Sequence, residues 1–490
     1  MAPERFNHTF GAEIEKPISS SSTGESHGVS QDFFKSIADQ HEGAHLDQSD
    51  IQPETTLAVD VPGIGHVGLD NAFNLQETAS VVTHTLSELA RISKLDLHLV
   101  QQALLAEGAT VINLALHPQV MLTDQNYRAF VAPKGVYEYI LARGWDHKAG
   151  IDAKAQNSPS TSVHPEDAAR AVSTMIGAGA AIVGLFGNSP FAEQQVSPFK
   201  ETRLTIWDMM MASSSSNGDR KTASFPEQPF LNLKDYFGWM FGTGTNIHFV
   251  LAQDADYKTF GDAALTVENN PSVLSYLAMP NAIATFLRNG GKSVITPHLR
   301  HLEAMQFSQF TGARIRWQFD HSAIDRTQFL AAYDNNTLER LFTDGGVKYT
   351  YIEGRDAGAT FPDRELMSIN VAMAKTAPMA PSAIQAGLLQ NLDEASDYIL
   401  SKPWKQLSAL RNAAIRNGLE GHAADLSVYN FACDILQIAA RGLSSQDQKL
   451  LAYPEFVLTT KQNGADRALA QYAAGMSIRD IVKSRSIVLS

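Results

Sequence analysis

The feature that most narrows the folds open to this chain is an uncharged apolar stretch, Ala171 to Phe186, rich in alanine, glycine and valine. Its 16 residues fall short of the ~20 needed to cross a bilayer. The stretch therefore predicts a helix enclosed in protein rather than in lipid. Pro165 can open that helix at its first turn, where Glu166 and Asp167 complement the positive end of the helix dipole. Asn188 and Pro190 break the pattern, so the helix is predicted to run to about Leu185. A helix without a polar face needs neighbours on all sides. With 490 residues, 44% hydrophobic and 19% charged, the chain has the material for such a core. The length suggests two or three structural units, or one large catalytic body with an appendage.

Charge and cysteine content remove several functions. Acidic side chains number 52 against 39 basic ones, a net charge of −13, which argues against a nucleic-acid partner because phosphate affinity comes from clustered Lys and Arg. A single cysteine, Cys433, excludes an intrachain disulfide and a cysteine-built zinc cluster. No basic segment followed by an apolar run opens the chain, and Glu4, Glu13 and Glu15 come too early for an acid-poor transit leader. The expectation is a cytoplasmic protein with no membrane partner.

The local patterns are mixed. Phe10 to Glu15 alternates as a strand does, as do Val67 to Gln76 and Val111 to Leu116. Ala79 to Ile92 and Lys94 to Ala106 have helical spacing, with Ser93 placed to cap the second. From Asp393 onward the pattern is helical, over Ile399 to Arg416, Ala424 to Arg441 and Arg467 to Gly475. No βαβ rhythm appears. The predicted class is α+β, with residues 1–392 as the body and 393–490 as a helical portion packed on it.

Three clusters could carry chemistry. Glu13 and Glu15 stand two apart on a strand, so both carboxylates share one face. Paired carboxylates repel unless a cation lies between them, and hard Mg²⁺ takes such oxygen ligands while keeping waters for phosphates. Read alone, the pair is better explained as a solvated strand face. Glu353 and Arg355, in Tyr351 to Gly358, again share a face and fit either a metal-and-phosphoryl site or a plain ion pair. Arg203 lies before Trp207 and after Asn188-Ser189-Pro190-Phe191. Two further matches carry little. His41 to His45 spells HExxH, but Gly43 weakens the helix that zinc binding needs. Gly63 to Gly68 spells GxGxxG, but Asp70-Asn71 reads as a turn or strand where a dinucleotide site needs a helix.

Taken in order, these pieces resemble the glutamate–cysteine ligase family of plants and many proteobacteria. Gly11-Ala12-Glu13-Ile14-Glu15-Lys16 is similar to its G-[TA]-E-x-E-K strand, and Leu69 to Ser80 to a strand ending in Q-x-E-x-[ST]. Pro133 to Tyr137 resembles P-K-G-R-Y, Asn188 to Trp207 resembles N-S-P-F then R-x-x-I-W, and Asp219-Arg220 a further D-R pair. Tyr351 to Gly358 and the helical tail extend the resemblance through nearly the whole chain. Residues 269–344 do not align. Two departures stand out. Ungapped counting puts Gln76 at the motif's glutamate, unless a one-residue bulge brings in Glu77. Val136 replaces an arginine that in the family helps hold the amino-acid substrate.

The resemblance implies a glutamine synthetase and guanido kinase-like fold, a curved antiparallel sheet funnel with outer helices, binding ATP and Mg²⁺. It implies ligation of a carboxylate to an amine through an acyl phosphate. Glu13, Glu15, Glu353 and either Glu77 or Gln76 would hold metal. Arg203 and Arg355 would neutralise the phosphoryl group, and Lys16 would touch nucleotide. Val136, Asn188 and Trp207 would form the substrate wall. The expected partners are small amino-acid substrates, and the protein would be a monomer or homodimer. The leading expectation is a γ-glutamyl amide; a product from another acid or amine, and a silent scaffold, are the alternatives.

Overall fold

Strand alternation organises the whole fold, starting from β1 (Phe10–Ser20). The computed structural model describes residues 6–151, 154–216, 218–252 and 263–489. Around β1 stand β2 (His45–Gln48), β3 (Thr56–Val61), β4 (Gly65–Leu69), β5 (Leu75–Ser80), β6 (Ala109–Val111), β7 (Asn157–Ser162), β8 (Ala313–Phe319) and β9 (Val347–Gly354). They form a nine-stranded sheet of order β8-β9-β7-β1-β5-β4-β3-β2, with β6 pairing the end of β1. Its pairings are antiparallel. The fold is α+β, a large antiparallel sheet with many helices, as the sequence implies.

The two faces of the sheet differ in kind. Ala12, Ile14 and Lys16 point into a helical layer and are buried, while Glu13 and Glu15 project from the opposite side. That layer includes α1 (Leu86–Ala106) on β1 and β5, α3 (Ala168–Gly177) on β8 and β9, and α5 (Ala380–Gln390) on β7. Gln385 of α5 brings its Nε2 within hydrogen-bond reach of the Pro159 and Ile352 carbonyls and the Thr161 hydroxyl. It thereby ties β7 to β9 from the helical side. On the other face, residues of α2 (Gly135–Ala142) line a cavity together with Glu13, Glu15 and Glu77.

Several local expectations change. The two helices expected around Ser93 are one, α1, capped by Thr85, whose hydroxyl accepts from the Glu88 amide. A serine inside a helix costs only a few tenths of a kcal/mol, roughly, so Ser93 does not end it. Val67 to Gln76 is a hairpin rather than one strand, with Asp70 to Asn74 turning the chain between β4 and β5. The apolar helix breaks at Ala178 into α3 and α4 (Gly179–Phe186), bent by 47°. A Cβ on Gly179 would lie 2.3 Å from the Asp356 carboxylate, so the chain needs glycine where it packs against β9's end. Among the described residues no single helix is long and apolar enough to cross a membrane.

The HExxH and GxGxxG matches dissolve into turns. His41 lies after the helix Gln31–Ala38, Gly43 takes a φ of +79°, and His45 opens β2. Gly63 to Gly68 turns β3 into β4, and no helix begins there.

The predicted boundary after residue 392 falls just past α5, one residue into the helix Leu392–Leu400. Helices α6 (Trp404–Asn417) and α7 (Val428–Gly442) both pack on α4, and α7 also packs on α5. That last contact is backbone against backbone. A Cβ on Gly387 would sit 2.2 Å from the Ala439 carbonyl oxygen. Gly387→Ala must push α5 and α7 apart, and is expected to lower stability in urea by about 1–3 kcal/mol.

Candidate active site

The carboxylate side of the sheet is built by one strand register. β1 and β5 pair regularly, with Glu15 opposite Glu77 and Lys16 opposite Gln76. No bulge intervenes, so Glu77 joins the Glu13 face by simple pairing and Gln76 lies beneath it. The Gln76 amide donates to the Thr78 hydroxyl at 2.8 Å. Lys16 is fully buried on that same far side, 2.9 Å from Asp96 of α1, and it also donates to Thr78. Burial lowers the pKa of its ammonium and Asp96 opposes that shift. Gln76 as a metal ligand and Lys16 as a nucleotide contact are thus both displaced, because period two sends their side chains under α1.

Glu13, Glu15 and Glu77 bring one carboxylate oxygen each within 4.8 Å of one another. At that spacing each ionised pair repels by roughly 3–4 kcal/mol at an effective dielectric of ~20. The pKa of Glu15 is raised well above the ordinary value by burial, then by Asp70, with Lys154 opposing and Glu13 and Glu77 adding to the rise. The Gln156 amide donates to Glu15 at 3.0 Å, which orients the group. Three buried or half-buried oxygen donors with surplus negative charge suit a hard divalent cation such as Mg²⁺, and not a soft metal.

Arginines stand beside this cluster. Arg203, in the turn Thr202–Thr205, is 2% exposed. It donates to Glu201 at 2.7 Å, to Gln156 at 3.3 Å and to the Asp356 carbonyl at 3.0 Å. Glu201 in turn accepts from the Asn188 amide at 2.7 Å and the Ser189 hydroxyl at 3.0 Å. Asn188 is completely buried and also donates to Asn113 and the Ala359 carbonyl. Asn188 thus supports Arg203 from behind and does not line the cavity, contrary to the expected wall role.

Glu353 also moves from its expected place. It shares the carboxylate face but sits on β9, two strands from β1, hence about 10 Å away. There it pairs with Arg314 at 2.6 Å, Arg355 at 3.0 Å and Arg316 at 3.5 Å. Burial alone would raise its pKa, but Arg314, Arg316 and Arg355 hold it down to about 2. A carboxylate so claimed serves as the anchor of an arginine group rather than as a metal ligand. Arg314 and Arg355 each keep a buried Nε with no hydrogen-bond partner among the described residues, an arrangement suited to receiving an anion.

One cavity unites these parts. Glu13, Glu15, Asp70 and Glu77 line it beside Lys154, Arg203, Arg314, Arg316 and Arg355. Val136, Ile140, Trp145, Trp207, Met210, Phe307 and Phe310 form its apolar side. Trp207 stacks on Phe310 with centroids 4.3 Å apart, and the Arg355 guanidinium lies 5.9 Å from each ring. Lys154 approaches Asp70 at 3.4 Å. His147 stacks on Tyr137, and burial, then Lys154, push its pKa down to about 3, leaving a neutral imidazole. The cavity can hold an oxygen-bound cation next to a multiply charged anion, with an apolar group alongside.

Sequence reasoning missed Arg314 and Arg316, although Ala313-Arg314-Ile315-Arg316-Trp317 alternates in the same way as the Glu13 strand. They come from the stretch that did not align, as do Phe307 and Phe310. Asp70, His147, Lys154 and Gln156 lie in turns and loops with no local signal at all.

Residues 10–241 match the family model described as glutamate-cysteine ligase family 2 (GCS2). A search of curated proteins returns no match. Among solved structures, glutamate–cysteine ligase from Francisella tularensis in complex with AMP is similar at 12% identity and a TM-score of 0.51. That match covers 99% of this chain and 88% of that one. A bifunctional glutathione synthetase from Pasteurella multocida gives 11% identity and a TM-score of 0.45, covering 97% of this chain and 51% of that one. At such identities the first likeness establishes the fold alone.

The arginine anchor predicts a pH signature. The folded-state pKa of Glu353, about 2, lies below its ordinary value of 4.5. Its contribution to stability is therefore present above pH 4.5 and is lost as pH falls through about 2. Glu353→Gln is expected to cost about 3 kcal/mol near neutral pH and to flatten the acid limb of stability, measured by urea unfolding across that window.

Proposed function

From the match of residues 10–241 to the family model for glutamate–cysteine ligase family 2, we propose that the chain is an ATP-dependent ligase joining a carboxylate to an amine through an acyl phosphate. The observation that supports this most is one cavity holding an all-carboxylate cation site beside a group of arginines. Mg²⁺ held by Glu13, Glu15 and Glu77 would supply positive charge against the phosphate oxygens of ATP. The protein's own work is positioning and charge stabilisation, which dominate phosphoryl transfer. Arg203 and Arg355, joined by Arg314 and Arg316, neutralise the oxygens of the group in flight. Glu201 and Glu353 hold those guanidinium groups in place, so little reorganisation is needed as charge develops.

In the first step the substrate carboxylate attacks the γ-phosphorus and ADP leaves. In the second the amine attacks the acyl carbon, phosphate leaves, and the amine loses a proton to give the amide. The Trp207–Phe310 stack and the neutral His147 border the reacting region, and the buried setting limits access of water that would hydrolyse the acyl phosphate. Glutamate with cysteine, giving a γ-glutamyl amide, is one substrate pair. Val136 favours the other reading, a different acid or amine, because it places an aliphatic group where an arginine would be expected.

The test is ADP release with ATP, Mg²⁺ and a panel of acids and amines, with product masses. Release that depends on one acid–amine pair, with an amide of matching mass, is the expected result. Nucleotide binding without turnover on any pair would make the chain a silent scaffold and end the ligase reading. Glu13→Gln should abolish ADP release, and Glu77→Gln should slow it about 100-fold or more. An active Glu13→Gln enzyme would remove the metal assignment.

A further inference from the structure

The apolar half of the cavity supplies no charged group to the chemistry above, yet it is assembled with care. Val136 and Ile140 lie one turn apart on α2, and Trp145, Met210 and Phe307 extend their surface toward the Trp207–Phe310 stack. The one polar atom of the Trp145 side chain is turned elsewhere. Its Nε1 donates to Asp219 at 2.7 Å, and Asp219 also accepts from Arg143 Nε and Nη2, both at 2.7 Å. That buried knot fixes the indole with its apolar surface against the cavity. Arg355 and Lys154 flank this wall, 5.9 and 5.3 Å from the Trp207 ring centre.

This arrangement constrains what a carboxylate ligand can carry. A carboxylate received by Arg355 meets a buried guanidinium whose Nε has no partner among the described residues. A group attached to that carboxylate has the Trp207 and Phe310 rings beside it, each 5.9 Å from the guanidinium, and Val136 lines the same cavity. A second charged group lying against Val136, Ile140, Met210, Phe307 and Phe310 would lose its hydration and meet side chains that carry no hydrogen-bonding N or O atom. Each buried methylene, by contrast, is worth about a factor of four in affinity. We propose that the acid ligated by this protein has an apolar body, an aryl or branched alkyl chain, rather than a second carboxylate. The proposal rests on the ligase reading for the word acid, and on the wall itself for the chemistry of its body.

The experiment is equilibrium titration of the full chain, with Mg²⁺ and a non-hydrolysable ATP analogue present, read by calorimetry. The probes are 3-phenylpropanoate and 4-methylpentanoate against glutarate and glutamate, and the same acids are then scored for ADP release with the amine panel. The apolar acids should bind at least tenfold more tightly than the charged ones, and Val136→Arg should reverse that order. Because an arginine in a packed helix can disturb folding, the near-isosteric Val136→Thr serves as a second variant, expected to weaken the apolar acids two- to fivefold. Equal or tighter binding of glutarate or glutamate overturns the proposal. So does displacement of 3-phenylpropanoate by adenosine, which would make the aromatic wall a base site. Tight apolar-acid binding without ADP release supports the wall assignment and ends the ligase reading. ADP release driven by glutamate alone leaves the ligase reading intact and ends this one.

Discussion

Three carboxylates held within 4.8 Å of one another are the constraint around which this structure is arranged. Left to themselves they would separate, and the sheet prevents it. Glu13 and Glu15 cannot diverge because they are two residues apart on one strand, and Glu77 cannot withdraw because the pairing of β5 with β1 sets it directly opposite Glu15. The raised pKa of Glu15 is the electrostatic record of that confinement. One residue along, on the other face, Lys16 and Asp96 form a buried pair that ties the same two strands to α1. The repulsive face is stable only because the opposite face is so firmly attached. A cation bound among the carboxylates would relieve the repulsion that folding alone leaves in place.

The arginines are organised by the inverse logic. Like charges are brought together by carboxylates that the chemistry does not consume. Glu353 gathers three guanidinium groups, and Glu201 orients a fourth. The support extends well beyond the sheet. Arg411 of α6 grips Asp356 at 2.5 Å, and the backbone carbonyl of Asp356 accepts from Arg203. The helical tail therefore reaches the site through this ion pair and through the Glu201 amide, which donates to the Ile415 carbonyl of α6, and the buried bend at Ala178 makes room for the ion pair beside Gly179.

Much of the candidate site was legible in strand periodicity. Glu13 and Glu15 were readable as one face, and Glu353 with Arg355 as another, because side chains alternate with period two. The same rule applied to Arg314 and Arg316 would have found them. What periodicity could not supply was the register between strands. Ungapped counting favoured Gln76, whereas the pairing of Glu15 with Glu77 settles which side chain faces the cavity. Glu353 was read correctly as to face and wrongly as to neighbour, since two strands separate it from Glu13. Lys16 and Asn188 fall in the recognisable motifs because the fold needs them, and they serve it from behind the site.

By itself the sequence determined the faces: alternating acids and alternating arginines on strands, an uncharged helix that had to be enclosed, and a net charge unsuited to nucleic acid. Those properties follow from local geometry and composition, which neighbours along the chain dictate. Only the tertiary structure decided which faces meet. Glu77 is opposite Glu15, Arg314 opposite Glu353, and Val136 lines the same cavity as Phe310, although these residues are far apart in sequence. The physical reason is that charge repulsion, ion pairing and apolar contact act over a few ångströms of space, and only the pairing of strands and the packing of helices sets those distances.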